Sequence, residues 1–539
     1  MMRPDPEVSL RKGAAMITVA TAVSRLTGFL RVVAVAAAMG TTFLANTYQS
    51  ANTAPNLIFE LVAAGILTSV FVPTFVDHLV RGEKEKGWEA ANALASVALV
   101  GLTAIAVLLA LAAPLIMRLL LIGVDDPTVR SASVDLGTRF LRLFAPQVIF
   151  YGAGMIMTAA LHAHRRFAIP AVAPIFNNVV VIGTYLGYIV MRGNDPVGVG
   201  EVTGGEVLLL GAGTTMGVVA MTVCLLPSLR AIGWKFRFNF DPQHPSVRKG
   251  ARLGAWALGY AGGYQAGLIV VLILANRIEG GVAAYQWAFT FFYLPHALFG
   301  VPIFHVLFTA MAEHVSRGEE SDLMRRLRDG LGMLGFILLP VSAALFVLAG
   351  PLARVTLDYG VMTDTGATLV ARTLGAFVVG LPTYSAFLVL TRAFYALGDV
   401  KTPTFVNAGA VVISSAVGLG FFLIAPEEWV VPGLALGHSI AFAVGCAVLG
   451  RLLGARMGAG PGEALRRSLV RSGVMTVPAG VLMYAVQLPL SDAAKSTALA
   501  QILLAGILGA GVYVWLMMKS RSPELRSVVE LAKGLRHKT

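Results

Sequence analysis

Apolar stretches of about 20 residues recur along the whole chain, and each is long enough to cross roughly 30 Å of hydrocarbon as a helix. The ten-residue alternation typical of membrane strands is missing, so the pattern predicts helices. With 56% hydrophobic and only 13% charged residues among 539, the chain has too little polar surface for a soluble globule. We therefore predict an all-α polytopic membrane protein with about 14 transmembrane helices. These helices should cover residues 14–39, 45–78, 90–118, 138–161, 168–191, 206–229, 253–276, 282–312, 330–353, 368–396, 404–425, 430–450, 470–488 and 496–518.

The positive charges lie mainly in alternate connectors between the apolar stretches. The net charge is +13, and about 30 of the 42 Lys and Arg fall on one side of the predicted membrane, against about 6 on the other. By the positive-inside rule, both termini of this multi-pass chain should be cytoplasmic. The first apolar stretch lacks a small-residue cleavage site, so we expect it to remain as an uncleaved first helix. Because the charge is not gathered on one basic domain, we expect no nucleic-acid partner.

The chain also contains an internal repeat of about six helices. The sequence Arg-Lys-Gly-Ala at 11–14 recurs at 248–251, and further along Pro55 matches Pro295 in the same collinear order. An even number of crossings leaves both copies in one orientation, which predicts two pseudo-symmetric six-helix lobes around a central cavity. Chance similarity between apolar segments is the alternative. The predicted division is an N-lobe at 1–240, a C-lobe at 241–455, and helices 13 and 14 with a basic cytoplasmic tail at 456–539.

Ionisable side chains inside the apolar stretches are the first candidates for function. Predicted helix 1 carries Arg25 and Arg31, and predicted helix 2 carries Glu60. A charge at the centre of a membrane is costly and is usually held in an aqueous cavity or paired. The functional interpretation is that both arginines bind an anionic headgroup such as a pyrophosphate, since guanidinium presents several donors in a fixed fork. The structural alternative is an Arg–Glu pair, or snorkelling to the interface.

Two prolines and several missing motifs limit the mechanism further. Pro55 and Pro295 occupy matching positions in the second helix of each predicted lobe, and a proline that kinks a helix suits a hinge. Kinks in a rigid bundle are the alternative.

The chain has no P-loop, no zinc-protease helix motif and no hydrolase nucleophile elbow, so we predict that it is not an enzyme and needs no cofactor. Cys224 and Cys446 both lie in apolar stretches, and we expect no metal site.

Several motifs along the chain resemble those of one known family. They are Ser-Arg-Leu-Thr-Gly-Phe-Leu-Arg at 24–31, Pro-Asn-Leu at 55–57, Phe-Val-Pro at 71–73, Arg-Phe-Ala-Ile-Pro-Ala at 166–171, Arg-Ala-Phe-Tyr-Ala-Leu-Gly-Asp at 392–399 with Lys-Thr-Pro at 401–403, and Gly-Leu-Ala-Leu at 433–436. The chain is similar to the MurJ (MviN) family of bacterial lipid II flippases in the MOP superfamily. That resemblance implies a fourteen-helix fold in the bacterial cytoplasmic membrane, and alternating access for an undecaprenyl-pyrophosphate-linked peptidoglycan precursor used in cell wall biogenesis.

The resemblance also carries individual residues over to this chain, with some departures. Arg25 and Arg31 match the family's first-helix arginines, and Lys401 matches a basic residue after helix 10. Asn46 stands where many members have Asp. Positions that are usually basic hold Phe59 and Glu60, and an expected arginine is Thr290. The predicted substrate-binding residues are Arg25, Arg31, Asn46, Glu60 and Lys401.

Three functions stay open at this point. The first is a lipid II flippase, with membrane lipids and a polyprenyl-pyrophosphate-linked substrate as its partners. The second is a flippase for another polyprenyl-linked glycan, which a less cationic cavity would suit. The third is a non-transporting scaffold that recruits cell-wall synthesis proteins. A cation-coupled drug antiporter is disfavoured because predicted helices 7 and 11 carry no carboxylate at the membrane centre.

Overall fold

A computed structural model of the chain has helices as its regular structure throughout the residues that it describes. It describes residues 6–62, 84–193, 195–244, 247–248, 262–263, 265–304, 307–308, 311, 320–458, 462–490 and 494–536. The helices in these ranges are α1 Pro6–Met39, α2 Phe43–Val62, α3 Lys84–Leu120, α4 Pro127–Phe144, α5 Gln147–Ala163, α6 Ala168–Arg192, α7 Gly204–Val223, α8 Leu226–Ala231, α9 Gln265–Ala275, α10 Gly281–Pro295, α11 Glu320–Val347, α12 Ala349–Leu357, α13 Asp364–Val378, α14 Leu381–Ala396, α15 Lys401–Ile424, α16 Glu427–Arg456, α17 Glu463–Gln487, α18 Lys495–Lys519 and α19 Pro523–Arg536.

Most predicted membrane helices coincide with long apolar helices of the structure. Within the described ranges, 11 helices are long and apolar enough to cross a membrane, or 12 if the bent pair α13 and α14 forms one span. Predicted helices 2, 7 and 8 lie partly outside the described residues, and the Phe-Val-Pro motif at 71–73 lies wholly outside them. The count of fourteen therefore stays a prediction.

The chain divides into two compact units. Unit 1 comprises Met1–Val282 with Tyr359–Met362, and unit 2 comprises Ala283–Asp358 with Thr363–Thr539. The end of α9 packs within unit 1, where Asn276 Nδ2 donates to Ser50 Oγ at 3.0 Å and to the Leu120 carbonyl at 3.1 Å. The lobe boundaries derived from the repeat, at 240 and 455, stay predictions.

Small residues allow close helix packing in unit 1. α6 packs between α1 and α7. A Cβ at Gly213 would lie 2.4 Å from Thr184 Oγ1, and a Cβ at Gly217 would lie 2.4 Å from Asn177 Oδ1. Larger side chains at either glycine would push α7 away from α6. Close approach through small residues is the main source of helix association in a membrane, where apolar burial gives little driving force.

Two backbone irregularities interrupt helices in unit 2. One turn of π-helix, His296–Gly300, follows directly after Pro295 at the end of α10. A 47° bend separates α13 from α14. Predicted helix 10, at 368–396, was expected to be continuous, and it is broken here because Pro382 in the first turn of α14 has no N–H to continue the ladder. Ser439 Oγ donates to the carbonyls of Ala376 and Phe377 at the end of α13, at 2.8 and 3.0 Å.

The C-terminal helix α19 is attached to α17 by a partly buried ion pair. Arg471 Nη2 lies 2.5 Å from Glu524 Oε2, and these side chains are 23% and 10% exposed. Ser468 and Ser522 donate to the same carboxylate. Although burial acts to raise it, these hydrogen bonds and the charge of Arg471 hold the pKa of Glu524 below its ordinary value. The carboxylate therefore stabilises the folded protein at neutral pH.

We expect Glu524→Gln to destabilise the protein by about 2 kcal/mol, because it leaves the Arg471 charge partly buried and unpaired. The measurement is the midpoint of thermal unfolding in detergent. Glu463→Gln is the matched control, since Glu463 faces exposed Arg466 and Arg467 at 3.1 Å and should cost below about 0.5 kcal/mol. Because the pKa of Glu524 is lowered on folding, the wild-type advantage should hold above the unfolded pKa and fade as pH falls through the folded one. Equal shifts for both variants, or an advantage that persists in acid, would contradict this role.

Candidate functional site

Arg31 lies on α1 near three tyrosines of unit 1, of which two are buried and one is partly buried. Its side chain is half-buried, and its charge acts on the phenols of Tyr48 on α2, Tyr151 on α5 and Tyr185 on α6. Tyr48 and Tyr185 are themselves hydrogen-bonded through their hydroxyls at 3.0 Å. We call Arg31 and these three tyrosines the arginine–tyrosine cluster. Within the described ranges, no carboxylate pairs with Arg31, so its guanidinium retains its capacity to bind an anion.

Arg25 lies six residues earlier on α1 and is exposed. The surrounding backbone is held to α6, because Asn178 Nδ2 donates to the Ser24 carbonyl at 3.3 Å and to Thr27 Oγ1 at 3.0 Å. This contact fixes the position of the first-helix motif relative to α6. Arg25 and Arg31 therefore differ in burial, and Arg31 is the more deeply placed charge of the pair.

Glu60 was considered as an ion-pair partner of the two arginines, and the structure places it elsewhere. Its carboxylate accepts a hydrogen bond from Gln265 Nε2 at the start of α9. Among the described residues, no ion pair joins Glu60 to Arg25 or Arg31. The Arg–Glu pair offered as the structural alternative is therefore absent from this conformation, and the carboxylate instead links α2 to α9.

A stripe of polar side chains follows one face of α2. Its members recur at spacings of three or four residues, which keeps them on one side of a helix. They are Gln49, Asn52, Thr53, Asn56 and Glu60. Glu60 is exposed and the other four are partly buried in unit 1, and the Asn52 Oδ1 atom itself is buried and has no hydrogen-bond partner. Sequence reasoning singled out only Glu60, and the helical spacing of amides in an apolar stretch would have identified the rest.

Asn46 occupies a fully buried position at the start of α2. Its Nδ2 donates to the Ile278 carbonyl at 2.8 Å, and its Oδ1 accepts from the Val282 backbone N–H at 3.0 Å. Both ends of the amide thus close the turn between α9 and α10. This arrangement gives Asn46 a structural role within unit 1, and its contact with substrate stays a prediction.

The two positions that lack the family's arginine carry side chains with local partners. Phe59 stacks on Tyr151 with ring centroids 4.8 Å apart. Thr290, in unit 2, donates its hydroxyl to the Gln286 carbonyl at 3.0 Å within α10. Phe59 therefore places an aromatic face beside the arginine–tyrosine cluster at a position where a second cation was expected.

The remaining predicted residues lie at helix irregularities or ends. Pro55 is buried inside α2, and Pro295 is buried where α10 passes into the π-helical turn. Lys401 is exposed at the first residue of α15, and its ammonium group forms no ion pair with any described residue. Neighbouring Asp399 accepts hydrogen bonds from the Thr402 backbone and hydroxyl, which together with the charge of Arg456 lower the pKa of Asp399. The hinge and binding roles of these residues stay predictions.

A comparison with protein-family models decides the family. The model described as "Lipid II flippase MurJ" matches residues 35–504, which is most of the chain. The chain belongs to the MurJ family. This is a family of flippase transporters rather than enzymes, and membership confirms the resemblance inferred from the motifs.

Similar proteins support the assignment over most of their length. A probable lipid II flippase MurJ from Rhizobium tropici is 29% identical over 439 residues, covering 80% of this chain and 79% of the relative. A lipid II flippase MurJ from Burkholderia cenocepacia is 24% identical over 415 residues, covering 74% and 76%. MurJ membership thus extends across both units rather than resting on one local motif.

Solved structures confirm the predicted fold class, an all-α polytopic membrane protein. A lipid II flippase MurJ in an inward closed conformation superposes with a TM-score of 0.76, at 20% identity, covering 94% of this chain and 99% of that chain. An inward-facing multidrug resistance MATE family transporter of the MOP superfamily superposes with a TM-score of 0.65, at 14% identity, covering 82% and 96%. The MOP fold is therefore shared, and the MurJ assignment comes from the sequence comparisons.

Proposed function

We propose that this MurJ family member moves lipid II, the undecaprenyl-pyrophosphate-linked peptidoglycan precursor, from the cytoplasmic to the outer leaflet of the bacterial inner membrane. Family membership supports the reaction class. The single observation that carries the site is Arg31, a half-buried cation with no carboxylate partner among the described residues. A pyrophosphate supplies the paired oxygen acceptors that a guanidinium fork binds.

In this proposal, Arg31 and Arg25 bind the pyrophosphate, and the polar stripe of α2 solvates the sugar and peptide hydroxyls and amides. Undecaprenyl stays in the lipid. Pro55 and Pro295 are the proposed hinges for alternating access, and Lys401 is a proposed contact at the end of the pathway. The basic connectors favour a cytoplasmic location for both chain termini. Labelling of a cysteine introduced at the C-terminus, from one side of sealed vesicles, would test this orientation.

A flippase for another polyprenyl-linked glycan is the second candidate. The observation that favours it is Phe59 stacked on Tyr151 beside the arginine–tyrosine cluster, because aromatic faces pack on sugar rings more readily than they attract phosphate. The substrate would still carry a pyrophosphate for Arg31. A scaffold that recruits cell-wall synthesis proteins has no comparable observation in its favour.

The deciding experiment is translocation by purified protein in sealed vesicles. Vesicles containing labelled lipid II are compared with vesicles containing an undecaprenyl-pyrophosphate glycan without the peptide, and the label accessible from outside is followed over time. Faster translocation of lipid II than of the glycan supports the leading proposal, whereas the reverse order supports the second candidate. Protein-free rates for both lipids would refute both.

A further inference from the structure

His438 is a buried titratable residue of unit 2 that the proposed transport mechanism does not use. It lies on α16 and is only 7% exposed. Neither ring nitrogen, Nδ1 or Nε2, has a hydrogen-bond partner. A buried polar group without a partner is uncommon and calls for a physical explanation.

Aromatic rings surround His438 from three further helices as well as its own. Centroid distances from the imidazole are 5.9 Å to Phe289 and 5.5 Å to Phe292 on α10, 5.3 Å to Phe377 on α13, 5.6 Å to Tyr384 on α14, and 4.6 Å to Phe442 on α16. We call these residues the aromatic box. A protonated imidazole carries two N–H donors, and the box supplies an acceptor for neither. The closed box therefore holds the neutral ring.

The charged groups on the surrounding helices are engaged elsewhere or lie far along the chain. On α13, Arg372 bonds Glu428 at 2.6 Å, and on α14, Arg392 lies over Phe304 at 4.9 Å. Lys401 begins α15, which has no other titratable residue. The titratable residues of α10 are Tyr285 and Tyr293, and Cys446 lies two turns beyond His438 on α16. Within the described part of unit 2, Tyr384 is thus the titratable side chain in ring contact with His438.

The segment around His438 is packed into the bend between α13 and α14. The next residue, Ser439, donates to the Ala376 and Phe377 carbonyls at the end of α13, directly before the bend. A Cβ added at Gly380 would lie 2.7 Å from Ser439 Cα. The bend and the closed box therefore depend on the same close approach of α16, and neither can change without the other.

A second buried histidine connects the box to the π-helical turn. His296, within that turn, has its Nδ1 2.9 Å from Ser385 Oγ on α14. Tyr384 lies between the two histidines, with its ring 5.0 Å from His296 and 5.6 Å from His438. The row His296, Tyr384 and His438 thus joins both backbone irregularities of unit 2. π-Helical turns occur frequently at functional sites.

We propose that His438 is a proton-binding site and that proton uptake opens the aromatic box and releases the bend between α13 and α14. The proton comes from hydronium in the surrounding water. An N–H bond forms on the ring while an O–H bond of hydronium breaks, so the ring gains one positive charge and a water molecule is released. An imidazolium needs acceptors or water at both nitrogens, which the closed box excludes, so the proton binds preferentially to an open conformer. A ligand with such a preference shifts the population toward the conformer that it binds. A proton-dependent step in transport follows only if the proposed function also holds.

Hydrogen exchange of the full-length protein in lipid nanodiscs tests the site without requiring transport. Exchange in peptides covering 376–386 is compared at about pH 8 and about pH 5.5, which bracket the usual titration of histidine, after correction for intrinsic rates. Acidification should raise the wild-type exchange rate in these peptides at least about threefold. Binding of one proton can change the opening equilibrium by no more than about tenfold per pH unit, so the expected rise lies within that limit. Wild-type exchange that does not change with pH would overturn the proposal.

Substitutions identify which group takes up the proton. His438→Phe retains an aromatic ring in the box and should abolish the pH response, and His438→Gln serves if the phenylalanine variant does not fold. His162→Gln is the matched control, because His162 is an exposed histidine of unit 1, and it should retain the full response. A response that survives both His438 variants, or that is lost only in His296→Gln, would refute His438 as the site.

The two proposals fail in different ways. Loss of translocation in every substrate assay would refute the proposed function while leaving the exchange result standing. If translocation is normal and its rate is the same at both pH values, His438 is not coupled to transport even if it binds a proton.

Discussion

Replacing Arg31 by alanine should lower substrate binding about 10- to 150-fold and reduce translocation to the protein-free rate, while folding is retained. A hydrogen bond to a charged group contributes about 1.5–3 kcal/mol, and each 1.4 kcal/mol is a tenfold change in affinity. Arg31 is half-buried within unit 1, where the loss cannot be fully replaced by water. The measurements are binding of labelled lipid II to purified protein and translocation in sealed vesicles.

The choice of variants separates charge from geometry. Arg31→Lys retains the positive charge but loses the guanidinium fork, so it should recover part of the binding and less of the translocation. Arg142→Ala is the matched control, since Arg142 is an exposed arginine of the same unit whose Nε lies 3.5 Å from the Ala110 carbonyl, and it should behave as wild type. Normal binding and translocation by a well-expressed Arg31→Ala protein would remove Arg31 from the site.

Arg25 should show a smaller effect than Arg31. It is exposed where Arg31 is half-buried, and a charge in a more solvated position interacts more weakly with an anion. Both arginines belong to one motif, and the sequence alone ranks them equally. The two arginines differ in burial. Their burial depends on how α1 packs on α6, and the local sequence does not specify that packing.

Hydropathy predicted most of the helices because a membrane imposes one strong constraint on every span. The apolar stretches at 90–118, 168–191 and 496–518 correspond closely to α3, α6 and α18. The motif around Arg31, inside α1, and the motif around Lys401, at the connector before α15, named the family correctly because both carry charged residues that a generic apolar stretch lacks. These features are local, and a local pattern is sufficient to recognise them.

Features that depend on distant contacts were not predicted. Glu60 was considered as an arginine partner, yet its carboxylate accepts from Gln265, which lies 205 residues away. The bend before α14 and the π-helical turn after Pro295 break stretches that hydropathy treats as continuous. The attachment of α19 through Glu524 was missed because the tail was considered only as a basic segment. Each of these depends on a tertiary partner that hydropathy does not specify.

Asn46 gives a second large expected effect, this time on stability. Asn46→Ala removes both hydrogen bonds to the turn between α9 and α10. It leaves the buried Val282 N–H unpaired, whereas the Ile278 carbonyl still accepts from the Gly281 N–H at 2.9 Å. A lost hydrogen bond costs about 1 kcal/mol and an unsatisfied buried donor about 1–3 kcal/mol, so the variant should be destabilised by about 2–4 kcal/mol. The measurement is thermal unfolding in detergent, followed by tryptophan fluorescence.

Two further variants test whether the amide itself is required. Asn46→Asp retains an acceptor for the Val282 N–H but sets a carboxylate oxygen against the Ile278 carbonyl, so it should be nearly as unstable as Asn46→Ala. Asn52→Ala is the control on the same helix, because the Asn52 Oδ1 already lacks a partner and its loss should cost less than about 1 kcal/mol. An Asn46→Ala protein that unfolds like wild type but no longer binds lipid II would instead place Asn46 in the substrate site. Since the Asn46 amide closes a turn within unit 1, we expect Asn46→Ala to be less stable than wild type. Its binding of lipid II should fall only in proportion to the fraction of the variant protein that is unfolded.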